Sequence, residues 1–289
     1  MSKMTIMRGL PASGKSMIAE EIAKSAGNTV RINKDLLRTM LHFDKFTGKN
    51  ESHTRDAARK LADWFLTNNV NVIIDDTNLN PGVMQSWKDL AKIHNAKVEV
   101  VDVDTPIGIC VMRDNNREKK VGGTVIKNMA LRYGLLKIES PIVICDIDGT
   151  IADTTHRQHF VEVAPGERKD WHGFFEAMDT DPVREDVRKM LIDHYNNGAT
   201  VVFMSGRPDN YKDRTLEWLE KNALSFAFTL MMRKASDSRD DTIVKKEMLD
   251  MYFPDKSKII SVIDDRPSVI RMWRENGLEV VDVGKGIEF

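Results

Sequence analysis

Gly9-Leu10-Pro11-Ala12-Ser13-Gly14-Lys15-Ser16 follows the short apolar run Thr5-Ile6-Met7 and opens a stretch, Lys15 to Ser25, that reads as a helix stopped by Gly27. The octet fits the Walker A pattern GxxxxGK[ST], in the strand–loop–helix setting the pattern requires. Glycines in such a loop let backbone N–H groups turn inward onto phosphate oxygens, and the helix N-terminus adds its dipole. Gly9, Ser13, Gly14, Lys15 and Ser16 are therefore expected to hold the phosphates of a nucleoside triphosphate. Lys15 would bridge the β- and γ-phosphates, and Ser16 would hold Mg²⁺.

Working outward, Thr29–Ile32 reads as a second strand, Ala57–Thr67 as a helix and Val70–Ile74 as a buried strand ending in Asp75-Asp76. Asn80-Pro81-Gly82 breaks the chain before another helix. Lys97–Val103 is a further strand, and Pro106 opens a helix at its first turn. This alternation implies an α/β fold with a parallel sheet and helices on both faces. After a connector near residue 140 a second α/β run begins. Ile142–Cys145 leads to Asp146, Ala199–Met204 to Ser205-Gly206-Arg207, and Ile259–Ile263 to Asp264-Asp265. Polar residues at the carboxyl ends of successive strands mark a ligand site in an open sheet. Residues 1–139 and 140–289 are thus read as two domains, with residues 151–185 as a small cap insertion.

Composition agrees with two soluble domains: 289 residues, 41% hydrophobic and 30% charged, are enough for two cores. There is no apolar run of membrane-spanning length, so no membrane partner is expected, nor is a signal peptide. The two cysteines, Cys110 and Cys145, suit core thiols and a cytoplasmic location. The net charge of -1 hides roughly +6 over residues 1–139 and roughly -7 over the rest, a modest hint of polyanion contact.

Two motifs point to opposite chemistries. In Asp146-Ile147-Asp148-Gly149-Thr150, Asp146 can attack a phosphorus atom and Asp148 can serve the leaving and attacking oxygens as acid and base. Two carboxylates facing a phosphate require a cation, met by Mg²⁺ held by Asp146, the Asp148 carbonyl and Asp264. In the first half, Asp35 and Arg38 lie one helical turn apart, suiting either a base with a phosphate grip or an intrahelical ion pair. One of Asp75 and Asp76 resembles a Walker B carboxylate, with the choice left open. Arg113 and Arg117 precede Lys119-Lys120-Val121-Gly122-Gly123, a segment suited to a lid over ATP phosphates. If both halves acted on the same phosphate, the chain would only consume ATP.

DxDGT resembles the nucleophile motif of haloacid dehalogenase-type phosphatases. Gly9–Ser16, Asn33-Lys34-Asp35-Leu36-Leu37-Arg38 and Asp76-Thr77-Asn78-Leu79-Asn80-Pro81 together resemble phage-type 5′-polynucleotide kinase/3′-phosphatases. The resemblance covers nearly the whole chain. It implies a P-loop kinase domain followed by a Rossmannoid phosphatase domain, with ATP and Mg²⁺ as cofactors. It also implies Asp35 as base on a 5′-OH, Arg38 on the neighbouring 3′-phosphate and Arg117 as a lid arginine, with Arg113 and Asp76 beside them. In the second half it implies Ser205 and Arg207 on the phosphoryl group, Arg157 on substrate, Lys245 neutralising the aspartyl-phosphate, and Asp264-Asp265 on metal. Nucleic-acid ends as substrate, a functional link to a ligase and a homo-oligomer follow from the same likeness. The competing expectations are a nucleoside or sugar kinase fused to a metabolite phosphatase, and a nucleotide-gated binding module.

Overall fold

Short apolar β-branched runs alternating with amphipathic segments build two parallel sheets, one in each half of the chain. The structure is a computed structural model describing residues 1–164, 166–286 and 288. It divides into two compact units, Met1–Tyr133 and Gly134–Phe289.

In the first unit, β1 (Lys3–Arg8), β2 (Thr29–Ile32), β3 (Asn71–Ile74) and β4 (Lys97–Asp102) form a sheet in the order β2-β3-β1-β4. Every pairing is parallel, with Ile6 opposite Ile74 and Val100, so each crossover carries a helix. Helix α1 (Lys15–Ser25) joins β1 to β2, α2 (Lys34–His42) and α3 (Gly48–Thr67) join β2 to β3, α4 (Pro81–Ile93) joins β3 to β4, and α5 (Ile107–Asn115) and α6 (Gly123–Arg132) follow β4. Ile6, Val72 and Ile74 pack with Ala58, Ala62, Trp87 and Leu90 on one side, while Met7 and Ile73 meet Ala19 of α1 on another. Helix α3 starts well before the Ala57 expected from periodicity. Thr47 caps it, its side chain accepting from Asn50 N, which lets the polar stretch 48–56 continue the helix.

In the second unit, β5 (Ile142–Cys145), β6 (Thr200–Pro208), β7 (Thr229–Arg233), β8 (Ile259–Asp264) and β9 (Val280–Asp282) form a parallel sheet in the order β7-β6-β5-β8-β9. The three strands anticipated from sequence are its centre, and β7 and β9 are the edges. Helices α7 (Trp171–Glu176), α8 (Glu185–Asn196), α9 (Lys212–Lys221), α10 (Asp241–Tyr252) and α11 (Pro267–Glu275) complete the unit. Val143, Cys145, Val201 and Phe203 lie wholly buried with Leu191 and Trp218. Residues 151–185 hold two 3₁₀ turns, Thr155–Phe160 and Met178–Thr180, on either side of α7. Among the described residues, no helix is long and apolar enough to cross a membrane.

Candidate active sites

In the first unit, β1 feeds the glycine-rich loop, whose Gly9 N donates to Thr77 O at 3.1 Å. Gly14 is the residue before α1 and adopts a left-handed backbone (φ 104°), a conformation that costs glycine little. Lys15 is buried at the start of α1, and its Nζ donates to Leu10 O at 2.5 Å and to Ser13 Oγ at 3.3 Å. Burial pulls its pKa down, with Asp75 partly opposing the shift.

Ser16 Oγ donates to Asp75 Oδ1 at 3.3 Å. Asp75 also accepts from Arg31 Nε at 2.8 Å and from Asn33 Nδ2 at 3.0 Å. Asp76 points elsewhere: its Oδ1 accepts from Lys34 N at 3.2 Å, and burial raises its pKa. Successive residues leaving a strand face opposite sides, so only one of the pair can meet the loop serine. Asp75 is thus the acid of the pair that meets the loop serine, and Asp76 lies against the first residue of α2.

Asn33 caps α2, accepting from Leu36 N at 2.9 Å, and this sets Asp35 in the exposed first turn. Arg38 Nη1 reaches Asp35 Oδ1 at 2.6 Å, so the intrahelical pair is formed. The same guanidinium is held by a second carboxylate, Glu51 of α3, which no sequence pattern signalled. Arg113 Nη1 donates to Ser13 O at 3.2 Å, placing that arginine on the loop. Arg117 pairs with Asp114 at 2.5 Å while its Nε is buried with no hydrogen-bond partner among the described residues. Asp114 is wholly buried and also accepts from Val121 N at 3.2 Å and Gly122 N at 2.8 Å. It thus ties Arg117 to the segment read as a lid.

In the second unit, β5 delivers Asp146 and β8 delivers Asp264 and Asp265, and one oxygen of each lies within 4.8 Å of the others. Lys245, on α10, is 1% exposed and inserts its Nζ 3.0 Å from Asp146 Oδ1 and 3.0 Å from Asp264 Oδ2. It is also 3.6 Å from Asp241 Oδ2. Asp241 stands four residues before Lys245 on the same helix, a spacing by which the sequence signals this pair. Burial pushes Asp146 well above the usual carboxylate range, opposed by Lys245 and reinforced by Asp264. Burial and Asp264 push Asp265 up to about 6. Asp146 Oδ1 is buried without an aligned hydrogen-bond donor, although Lys245 is near it. Three converging carboxylates, two of them (Asp146 and Asp265) with raised pKa values, and an unserved oxygen fit a hard divalent cation.

Backbone crowding fixes this cluster. A Cβ on Gly149 would fall 2.1 Å from Asp265 Oδ2, and one on Gly206 would fall 2.4 Å from Asp241 Oδ1. Gly149 also has a left-handed backbone (φ 78°).

Asp148, two residues from Asp146, has opposite company. Arg207 Nε donates to both its oxygens at 3.0 Å, and Arg157 Nη2 also reaches Oδ1. Burial would raise the Asp148 pKa, but Arg207 and Arg157 outweigh it and hold the carboxyl well below its usual range. Both arginines are wholly buried and share a second carboxylate, Asp181. The resemblance places both on substrate; here their guanidiniums pair with Asp148 and Asp181, so two cations balance two carboxylates within the cluster. Ser205 is likewise buried and its Oγ accepts from Arg207 N at 3.2 Å, just where the β6–β7 register shifts. Asp181 carried no sequence signal; only the tertiary fold brings it to the arginines. A cleft of about 450 Å³ opens over Asp146 and Asp148 and is lined also by Trp171, Phe175, Arg233 and Arg239.

A family profile described as "Polynucleotide kinase PNKP phosphatase domain" matches residues 140–288. The chain belongs to this family. A profile described as "AAA domain" matches residues 4–136, ahead of the PNKP-type phosphatase region. A protein of Autographa californica nuclear polyhedrosis virus, named as a bifunctional polynucleotide kinase/RNA ligase, is 27% identical over 94% of this chain and 41% of its own length. The L-seryl-tRNA(Sec) kinase of Methanococcus maripaludis is 25% identical over 55% of this chain and 62% of its own. The chain therefore spans less than two thirds of the length of these curated relatives. Among solved structures, a chain of the Pnkp1/Rnl/Hen1 RNA repair complex is 26% identical, with 99% of this chain and 96% of that one covered, at a TM-score of 0.43.

Proposed function

We propose that this PNKP-family chain heals nucleic-acid ends. Its first unit transfers the γ-phosphoryl group of ATP to a 5′-OH, and its second removes a 3′-phosphate, 2′,3′-cyclic phosphate being a further candidate substrate. The observation that carries this reading is the contrast between Asp146, sharing Lys245 with other carboxylates, and Asp148, clasped by two arginines. Neighbouring carboxylates pushed apart in pKa are the mark of divided nucleophile and acid–base roles.

In the kinase step, Asp35 takes the proton of the attacking hydroxyl while Arg38 holds an adjacent phosphate of the strand. Lys15, with Arg113 and Arg117, lies against the charge that develops on the transferred group. Ser16 and Asp75 would hold the Mg²⁺ that accompanies ATP.

In the phosphatase step, Asp146 attacks the phosphorus, the bond to the 3′-oxygen breaks and Asp148 gives that oxygen a proton. Water then attacks the aspartyl-phosphate, giving its proton back to Asp148 and freeing inorganic phosphate and Asp146. Mg²⁺ held by Asp146, Asp264 and Asp265 would supply positive charge to the phosphoryl oxygens. Lys245 favours the ionised form of Asp146, opposing the cost of burial. An approaching phosphate dianion raises the proton affinity of Asp148, which the arginines otherwise hold low, so substrate shifts this carboxyl toward its acid form.

The products, a 5′-phosphate and a 3′-OH, are what a ligase joins. The name of the viral relative, which couples polynucleotide kinase to RNA ligase, supports a functional link of that kind. The buried thiols of Cys110 and Cys145 suit a reducing cytoplasm, that of the host if the chain is viral.

The test uses one oligonucleotide with a 5′-OH and a 3′-phosphate, incubated with γ-labelled ATP and Mg²⁺ beside a mononucleoside control. Label gained at the 5′ end together with phosphate lost at the 3′ end is the expected result. An inert oligonucleotide beside a phosphorylated mononucleoside would overturn the assignment in favour of a metabolite kinase.

A further inference from the structure

The cap segment contributes one short helix, α7, whose three aromatic residues do different work. Phe174 is 1% exposed, with the Arg157 guanidinium 4.0 Å from its ring centroid. Phe175 packs between Trp171, stacked at 6.0 Å, and Tyr211 at 5.5 Å. Trp171 remains 39% exposed, and it lines the same cleft as Asp146 and Asp148. A core tryptophan would hide its ring; this one is backed by Phe175 and Phe174 and keeps surface toward the cleft.

The rest of the lining is mostly charged. Lys169, whose Nζ lies 5.8 Å from the Trp171 ring, shares the cleft with Arg233, Arg239 and Arg266, which are paired to Asp241, Asp237 and Asp241 of the same lining. An exposed aromatic face at the rim of a phosphate-reactive floor, with Lys169 beside it, offers a surface on which a base can stack. At about 450 Å³ the cleft falls in the size range of small-ligand sites, adequate for one terminal nucleotide.

We propose that Trp171 is a stacking platform for the nucleobase of the 3′-terminal nucleotide, so that the second unit acts on a base-bearing 3′-phosphate rather than on any phosphomonoester. This rests on the 3′-phosphatase reading given above. Every base presents a π-face, so the platform selects nucleotides as a class without selecting a sequence. Phe174 links the platform to chemistry, since it edges Trp171 at 5.8 Å and its carbonyl oxygen accepts from Arg157 Nη1 at 3.1 Å, the same arginine that holds Asp148.

The experiment compares two oligonucleotides with 3′-phosphate ends, one with an ordinary terminal base and one with an abasic terminal sugar. Phosphate release is measured for the parent, Trp171→Ala and Trp171→Phe proteins. Base–aromatic stacking predicts that the parent favours the base-bearing end by roughly 5- to 150-fold in kcat/KM. Trp171→Ala should bring that ratio toward one, and Trp171→Phe should retain most of it. A ratio near one in the parent refutes the platform while leaving the 3′-phosphatase reading intact. So does an unchanged ratio in Trp171→Ala, which would reduce Trp171 to packing. If the parent frees phosphate from neither end but hydrolyses a sugar phosphate, both readings fall. The use of a ratio keeps the test meaningful even if the alanine variant lowers overall phosphatase activity by loosening α7.

Discussion

Replacing Lys245 with methionine keeps most of the buried side-chain volume and removes the charge. Asp146 and Asp264, each 3.0 Å from the Nζ, and Asp241 at 3.6 Å would then lose their shared cation. Breaking a buried ion pair on one side costs about 3–5 kcal/mol. For a unit of roughly 150 residues, each kcal/mol moves the melting temperature by about 2–4 °C, so the phosphatase unit should melt roughly 6–20 °C lower. Calorimetry of the whole chain, with and without MgCl₂, measures this, the kinase transition serving as internal reference. Mg²⁺ should recover part of the loss, because a divalent cation supplies charge to the same carboxylates. Phosphatase activity should be lost and kinase activity kept. Melting unchanged to within about 2 °C without divalent ion would refute the view that Lys245 neutralises this cluster.

Asp114→Ala removes the acceptor of two lid amides and the partner of Arg117, and kinase turnover should fall roughly 10–100-fold with phosphatase rates unchanged. Arg117→Ala should be more severe, at roughly 10²–10³-fold, and steady-state assays of ATP-dependent 5′-labelling would distinguish the two. Asp265 binds its proton up to about pH 6 in the folded unit, against an ordinary value of 3.8. The native state therefore holds more protons than the unfolded chain between these values, so this group makes stability fall as pH rises through that window, by about 3 kcal/mol in all. Thermal stabilisation by Mg²⁺ should accordingly be larger at pH 7 than at pH 5; the reverse order, read by melting at each pH, would be inconsistent with a raised Asp265. Gly149→Ala should displace Asp265, abolishing the Mg²⁺-dependent rise in melting temperature together with 3′-phosphate release, while 5′-labelling persists.

What could be read from the residues was whatever local chemistry dictates. Ile142–Cys145 and Val70–Ile74 are largely apolar runs that each end at an acid, and they yield the central strands Ile142–Cys145 and Asn71–Ile74. Thr229–Arg233 and Val280–Asp282 are short edge strands with weaker patterns, and they became visible only through their neighbours. The loop residues of both sites lie where strand ends put them. Their partners were a different matter. Glu51 meets Arg38 from another helix, Asp181 meets Arg157 from 24 residues away, and Asp75 rather than Asp76 meets Ser16. Such pairings depend on packing that no spacing encodes. The inward turn of Arg157 and Arg207 was hidden for the same reason, since a motif gives a residue's position but not the direction of its guanidinium.

The contact of Gly149 with Asp265 and of Gly206 with Asp241 bears on how this phosphatase can change over generations. A catalytic acid can often be moved and its loss compensated by a neighbour, but a position defined by the lack of any side chain offers selection no intermediate. Each of these two carboxylates has peptide backbone at contact distance where another protein could place a swinging side chain, so neither can be retuned through its neighbour at 149 or 206. A library saturating those two positions should return glycine alone when screened for 3′-phosphate release. The floor of the site is then historically fixed, and variation in what it accepts must come from the cap and the rim.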